Sequence, residues 1–330
     1  MKVSIIIPIY NIAPYIGDCL RSVMSQTYHG EMECLMIDDG STDESVAIVE
    51  QLVADYKGTI QFKIRHHACN QGLSSARNTG MAMATGDYLF FLDGDDEMTR
   101  DCIERLVAPV EKDGTIDIVQ GNYVERNKNR VEKTKELYHW HIKDLSGNER
   151  IRDYFFVRKE IPVTAWNKLI RVDFLRENHL SFMDGVLYED TPWSYYIMKY
   201  IKHLYLVYDV TYFYNRRKGS IVEATPSEVV QMNKGVIYKT IASGLNGDEK
   251  AEVHYFLHGF CFFLIDCYQD ANYQYAYRKF KEVLTHEGYS IDRLLLSAIH
   301  MSLKTAPTRF LMRNMKQQLY VRFFNKDEMK

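Results

Sequence analysis

Four acidic residues fall within five positions at Asp93, Asp95, Asp96 and Glu97. Directly before them runs Tyr88-Leu89-Phe90-Phe91-Leu92, too short for a helix and without polar alternation. The pattern predicts a strand buried on both faces. Carboxylates at the carboxyl end of such a strand stand where open α/β sheets bind ligands. Asp93 and Asp95 are two apart, so extended backbone would point both to one side, with Gly94 letting a ligand approach closely. Hard oxygen donors suit Mg²⁺ or Mn²⁺, and Mg²⁺ is commonly held by one or two carboxylates plus substrate phosphates. The stretch therefore suggests a metal–diphosphate site, with a solvated turn as the bland alternative. A calcium loop is set aside, because its sixth position is Met98 where the turn needs glycine, and a strand rather than a helix precedes it.

The elements that must position these groups can be read around them. Val3–Ile9 is a β-branched run in which Pro8 cannot donate, so pairing is expected to end there. Tyr10 and Asn11 follow at its end. Pro14 suits the first turn of a helix continued by Ile16, Leu20, Val23 and Met24. Glu33–Ile37 reads as a second strand, ending in Asp38-Asp39-Gly40. Ser41 and Glu44 have capping-box spacing ahead of a second helix. Ile60–Arg65 is a third strand, and Ser74–Ala84 a helix of small residues. Four strands alternating with three helices predict a parallel α/β sheet with right-handed crossovers. Three polar clusters converging on one sheet edge are hard to explain as solvated turns. Neither G-x-G-x-x-G nor G-x-x-x-x-G-K-[ST] occurs, so a bound nucleotide must be held by metal and side chains.

The 330 residues suffice for a full core and two domains, and 46% hydrophobic with 26% charged residues is ordinary for a globular protein. A net charge of −3 offers no basic field for nucleic acid. The six cysteines show no metal or C-x-x-C spacing, which suggests buried free thiols in a reducing cytosol. The amino-terminal run Val3–Ile9 lacks the features of a signal peptide, and no apolar run is long enough to span a membrane.

Ser4–Asn11 (SIIIPIYN), Ile37–Asp43 (IDDGSTD), Asn70–Gly80 (NQGLSSARNTG) and Phe91–Asp96 (FLDGDD), in this order and spacing, resemble family 2 glycosyltransferases of the GT-A fold. The resemblance covers roughly residues 1–220. It implies a Rossmann-like, mostly parallel sheet flanked by helices, and an inverting transfer from a nucleotide-diphosphate sugar with Mn²⁺ or Mg²⁺. By the same resemblance, Pro8 and Tyr10 would lie against the base, and Asp39 would accept a hydrogen bond from it. Arg77 would approach the diphosphate or base. Asp93 would bind ribose or metal, Asp95 the metal, and Asp96 would orient its neighbours. Leu187–Trp193 resembles the family's Glu-Asp pair, making Asp190 the base and Glu189 its support. A helix N-cap is the alternative for Asp190. Trp166-Asn167-Lys168 resembles an element on the diphosphate and acceptor side, where Trp166 is either a sugar platform or an ordinary core residue. Arg216, Arg217 and Lys218 resemble a basic segment that closes over the diphosphate. His66 and His67 read as inert.

These readings place a catalytic domain over 1–223, with a donor half to about 100 and an acceptor half beyond. A helical region follows over 224–330, with helices over Glu249–Asp266, Tyr273–Leu284 and Ile291–His300. Its last 30 residues carry seven basic against two acidic side chains with aromatic residues interleaved. They suit an anionic membrane surface, a second subunit as in a homodimer, or the catalytic domain itself. The expected carrier is UDP and the transferred group a hexose or N-acetylhexosamine. The acceptor is a glycan or lipid-linked hydroxyl in surface polysaccharide synthesis. The expected location is the cytoplasm, with peripheral contact at the inner face of the membrane. A sugar-nucleotide nucleotidyltransferase and a non-catalytic nucleotide-sugar or glycan-binding protein are the alternatives. The first would want a glycine-rich basic loop where Tyr10-Asn11-Ile12-Ala13 stands. The second would be expected to lose Asp95 or Asp190, and both are present.

Overall fold

The computed structural model describes residues 1–127, 141–216, 225–245 and 271–285, with 252–253, 255–257, 260, 296–297 and 300. They fall into two compact units, Met1–Phe155 with Lys159–Ala224, and Phe156–Arg158 with Thr225–Lys330.

The first unit opens with β1 (Lys2–Ile9), α1 (Ala13–Met24), β2 (Glu31–Asp38), α2 (Ser45–Asp55), β3 (Gln61–His66), α3 (Leu73–Met83) and β4 (Tyr88–Phe91). This is the expected alternation, and the four strands pair in parallel in the order β3-β2-β1-β4. The apolar runs of β1 and β4 are wholly buried because helices cover both faces of the sheet. Gly80 lets α3 lie tight on β1, since a Cβ there would meet Ile6 Cγ2 at 2.4 Å.

Beyond β4 the sheet becomes mixed. It takes in β5 (Glu97–Met98), β6 (Ile118–Asn127), β7 (Asp144–Ser146), β8 (Lys168–Arg171) and β9 (His203–Arg216). β8 runs antiparallel between β4 and β6, and β9 pairs in parallel with β6. β5 and β7 both add antiparallel to β9. Three helices complete this half: α4 (Cys102–Lys112), α6 (Val172–Glu177) and α7 (Asp190–Tyr200), with a short α5 (Asn148–Arg152) before residue 153.

Pro8 does not end the pairing. β1 stays in register with β2 through Pro8↔Ile37 and Ile9↔Asp38. Backbone groups of alternate residues face alternate neighbours, and Ile6 C=O accepts from Leu92 N–H on the β4 side. The missing Pro8 donor therefore also faces the β4 side, where pairing has already stopped at Ile6↔Phe91. The capping box is likewise absent. Glu44 precedes α2 without a side-chain cap bond, and Asp43 Oδ1 accepts instead from Ser45 N–H at 3.0 Å.

In the second unit, the helix Ser227–Gly244 approaches the helix Ala271–Val283 closely at Gly235, where a Cβ would meet the Tyr273 ring at 2.8 Å. Phe260 stacks on Tyr273 and Phe280. Among the described residues no helix is long and apolar enough to cross a membrane. Arg217, Lys218 and 301–330 lie outside the described residues, as does most of the expected helices Glu249–Asp266 and Ile291–His300.

Candidate active site

The acidic stretch leaves β4 as a turn, with Asp96 N–H donating to Asp93 C=O at 3.0 Å. Asp93 and Asp95 are therefore not on extended backbone, and they flank Gly94 in the turn. Gly94 serves a different close approach from the one expected: a Cβ there would meet Ile12 Cδ1 at 2.3 Å and Pro8 O at 2.9 Å. The glycine seats the turn against the end of β1.

β9 grips this turn from the other side. Tyr212 Oη donates to Asp96 Oδ2 at 2.8 Å and Asn215 N–H to Asp96 Oδ1 at 2.7 Å. Asn215 Nδ2 donates to the Asp95 carbonyl at 3.0 Å. Burial pushes the Asp96 carboxyl well above the usual carboxylate range, and the charges of Asp95 and Asp93 push it further. Asp96 is thus a buried strut, and Asp93 and Asp95 are the partly exposed members. Asn215 escaped the sequence reading. Its signal is one polar residue closing the aromatic alternation Tyr212-Phe213-Tyr214 at a strand end.

Arg77 joins the acidic turn to the acceptor half. Its Nη2 donates to Asp93 Oδ1 at 2.8 Å. Its Nη1 donates to Glu189 Oε1 at 2.6 Å and Asp190 Oδ1 at 3.1 Å. The side chain is 1% exposed and lies over the rings of Phe182 at 5.2 Å and Phe91 at 5.9 Å. Burial would lower its pKa, and the three carboxylates raise it instead, so it is a permanent cation. The resemblance puts Arg77 near the diphosphate or base; its terminal nitrogens here bind three carboxylates.

Asp190 is the first residue of α7, not its cap, and Glu189 precedes the helix in helical backbone. Tyr188 holds a left-handed φ of 65°, a strained conformation for an aromatic residue, and so turns the pair into the site. The Asp190 side chain is 23% exposed. Burial pushes its carboxyl up, Arg77 pulls it back, Glu189 and Asp93 push again, and the balance is about 7. That is a value suited to accepting a proton near neutral pH.

Several sequence expectations fall elsewhere. Trp166 is 6% exposed, stacked on Tyr212 at 4.6 Å and Tyr214 at 5.6 Å, with Tyr123 edge-on at 4.7 Å. It is a core residue behind the acidic turn, not a sugar platform. Lys168 is buried and donates to the carbonyls of Pro162 and Thr164. Burial lowers its pKa to about 7 against the pull of Asp190. Asp39 is also buried. Its Oδ1 meets His67 Nδ1 at 2.7 Å and accepts from Gln71 N–H at 2.9 Å, and its Oδ2 accepts from Gly72 N–H at 2.7 Å. It ties the loop before α3 to β2, and His67, read as inert, is its partner. Pro8 is buried, and Tyr10 stands 46% exposed beside it at the sheet edge. Asn11, at φ 50°, accepts through Oδ1 from Thr42 N–H at 2.8 Å and so fixes that edge loop. Arg216 is exposed and pairs with Glu125 at 2.7 Å. Cys69 is exposed, whereas Cys19, Cys34 and Cys102 are the expected buried thiols. A separate 370 Å³ cavity lies at the opposite end of β4, between Met81, Leu89, Val172 and Leu175.

Two partly exposed carboxylates, Asp93 and Asp95, fit the donor chemistry of a divalent cation completed by phosphate oxygens. Burial leads in raising Asp96, and the Asp95 and Asp93 charges that add to it are the negative charge such an ion would offset. Among the described residues no group of three or more His, Cys, Asp or Glu side chains forms a complete cage.

The comparisons bear on the fold and the family. S. aureus TarS 1–349, in a crystal structure with UDP-GlcNAc, matches with a TM-score of 0.71 at 19% identity, covering 96% of this chain and 92% of that one. The fold is thus the GT-A arrangement. The uncharacterized glycosyltransferase EpsJ of Bacillus subtilis (strain 168) is 30% identical over 239 residues, 67% of this chain and 63% of EpsJ. The glycosyltransferase GlyA of Streptococcus pneumoniae serotype 4 is 29% identical over 230 residues, 67% of this chain and 31% of GlyA. The chain therefore spans less than two thirds of either relative. The Glycosyl transferase family 2 model matches residues 4–178, more than half of the sequence, and the chain belongs to that family.

Proposed function

We propose that this chain transfers a sugar from a nucleotide-diphosphate sugar to an acceptor hydroxyl, with inversion at the anomeric carbon. The carrying observation is the pair Asp93, in the turn after β4, and Asp190, at the start of α7, two partly exposed carboxylates facing one guanidinium. Asp190 takes the proton of the acceptor hydroxyl as its oxygen bonds to the anomeric carbon. The carbon–oxygen bond to the diphosphate breaks on the opposite face, and its electron pair leaves with the diphosphate. Glu189 keeps the Asp190 carboxyl basic by adding negative charge beside it. Asp93 and Asp95 would hold a divalent cation and with it the donor, with Tyr10 exposed at the edge for the base. When bound, the cation supplies neutralisation of the leaving diphosphate.

UDP is the carrier to test first, since S. aureus TarS binds UDP-GlcNAc in the same fold. Within that reading the transferred group is a hexose or N-acetylhexosamine, and the acceptor a glycan or lipid-linked hydroxyl of a surface polysaccharide. The test is calorimetric titration with UDP, GDP and dTDP, each with Mn²⁺ and with chelator, followed by NMR of the anomeric configuration of the product. Metal-dependent binding of one nucleotide and an inverted product are expected. Binding of none, or retention, overturns the reading.

A further inference from the structure

The acceptor-side carboxylates stand on a segment with little regular structure of its own. Between α6 and α7 the backbone takes left-handed φ values at His179, Gly185 and Tyr188. Two adjacent residues of α3, a helix of the donor half, hold that segment. Asn78 Nδ2 donates to Phe182 C=O at 2.9 Å, and Asn78 Oδ1 accepts from Phe182 N–H at 2.9 Å. One residue earlier, Arg77 binds Glu189 and Asp190 through Nη1 while Nη2 binds Asp93.

The guanidinium is planar, so its terminal nitrogens have a fixed mutual direction. The angle between Asp93 and Asp190 is therefore set by one rigid group, buried under the Phe182 ring where water does not compete. Both terminal nitrogens are already committed to carboxylates.

We infer that Arg77 is a positioning residue: it fixes the proton-accepting Asp190 against the donor-holding Asp93 and touches neither substrate. This rests on the roles proposed for those two carboxylates. The Arg77 fork and the Asn78 clamp make α3 the gauge that sets the distance between the donor and acceptor halves. A lysine would keep the charge and lose the fork, because a single ammonium cannot hold three carboxylates in one plane.

The experiment compares wild type with Arg77→Lys in the full chain, measuring kcat for sugar transfer and the UDP dissociation constant with Mn²⁺. Misplacement by about 1 Å can cost about 100-fold in rate. Arg77→Lys is expected to lose about that much kcat while UDP affinity stays within about threefold, because an ammonium still neutralises Asp93 and Asp95 is untouched. Parallel loss of both would make Arg77 a diphosphate ligand, and unchanged kcat would remove it from the mechanism; either overturns the inference. If Arg77→Lys does not fold, Asn78→Ala decides, since it frees the same segment from α3 without changing any of the three carboxylates. Reduced kcat at unchanged UDP affinity supports the inference, and any other result overturns it. Wild type without turnover overturns the functional reading itself, which separates that failure from this one.

Discussion

The Tyr212 hydroxyl donates to the buried Asp96 carboxyl group at 2.8 Å. The same oxygen accepts from the Asp93 N–H at 3.3 Å, so one phenol braces the acidic turn at two points. Tyr212→Phe removes both. A buried group that loses its partner costs about 1–3 kcal/mol, and each 1 kcal/mol lowers the melting temperature by roughly 2–4 °C in a unit of this size. Thermal and urea unfolding check this; a variant as stable as wild type would show that the brace contributes nothing.

Asp190→Asn keeps the shape of the side chain and removes its basicity. General-base catalysis contributes about 10²–10⁴-fold, so kcat is expected to fall by at least the lower figure. UDP affinity is expected to hold, because Asp93 and Asp95 are untouched. Steady-state kinetics beside calorimetry separate the two, and equal loss of both would end the base assignment.

The pH profile carries a sign. Burial leads in raising the Asp190 carboxyl to about 7, and the base works deprotonated. kcat/KM is therefore expected to rise with pH, with its acid limb centred at about 7, and to level above it. Since kcat/KM reports the free enzyme, a limb near the ordinary carboxylate value would contradict the buried, charge-crowded environment of Asp190.

Metal removal and Asp95→Asn should act alike. In chelator, wild type is expected to lose most of its UDP affinity. Asp95→Asn is expected to show that same weak binding even with Mn²⁺ present. Calorimetry in the four combinations decides, and an Asp95→Asn protein that still gains affinity from Mn²⁺ would take Asp95 out of the metal's donor set.

Far from the site, Glu33 sets an acid limit on stability. Burial alone would raise its carboxyl, but hydrogen bonds from Lys63, Thr85 and Ser4 outweigh that and hold it at about 2. A depressed folded-state value gives stability that is present above the unfolded value near 4.5 and is lost as pH falls toward 2. The contribution is on the order of 2–3 kcal/mol. Glu33→Gln is expected to be less stable than wild type at pH 7 and to narrow the gap by about half at pH 3, measured by urea unfolding.

β1, β2 and β4 were legible because burial on both faces writes itself as an unbroken apolar run, as in Tyr88–Phe91, whereas β5 to β9 were not read from the sequence. The acidic cluster was legible because such a strand has nowhere to put charge except at its end. What stayed hidden were properties of the packed state. Nothing local in Trp166 or Lys168 says that Tyr212, Tyr214 and two carbonyls will enclose them. Arg77 could not be paired with Glu189, because 112 residues separate them and only the closed sheet brings them together. Asp39 reads as a free carboxylate until the loop before α3 folds back and its N–H groups reach it.

β1 continues through Ile7, Pro8 and Ile9 after its last partner on β4. The acidic turn occupies the place where β4 would otherwise have run on, so the depth of the cleft is a matter of strand length before it is a matter of side chains. A strand advances about 3.3 Å per residue and alternates its faces. One residue inserted between Leu89 and Asp93 would therefore lift the turn off Pro8 and Ile12 and present its carboxylates to the opposite face. The number of residues between β1's partner on β4 and the turn is thus set by the pleat.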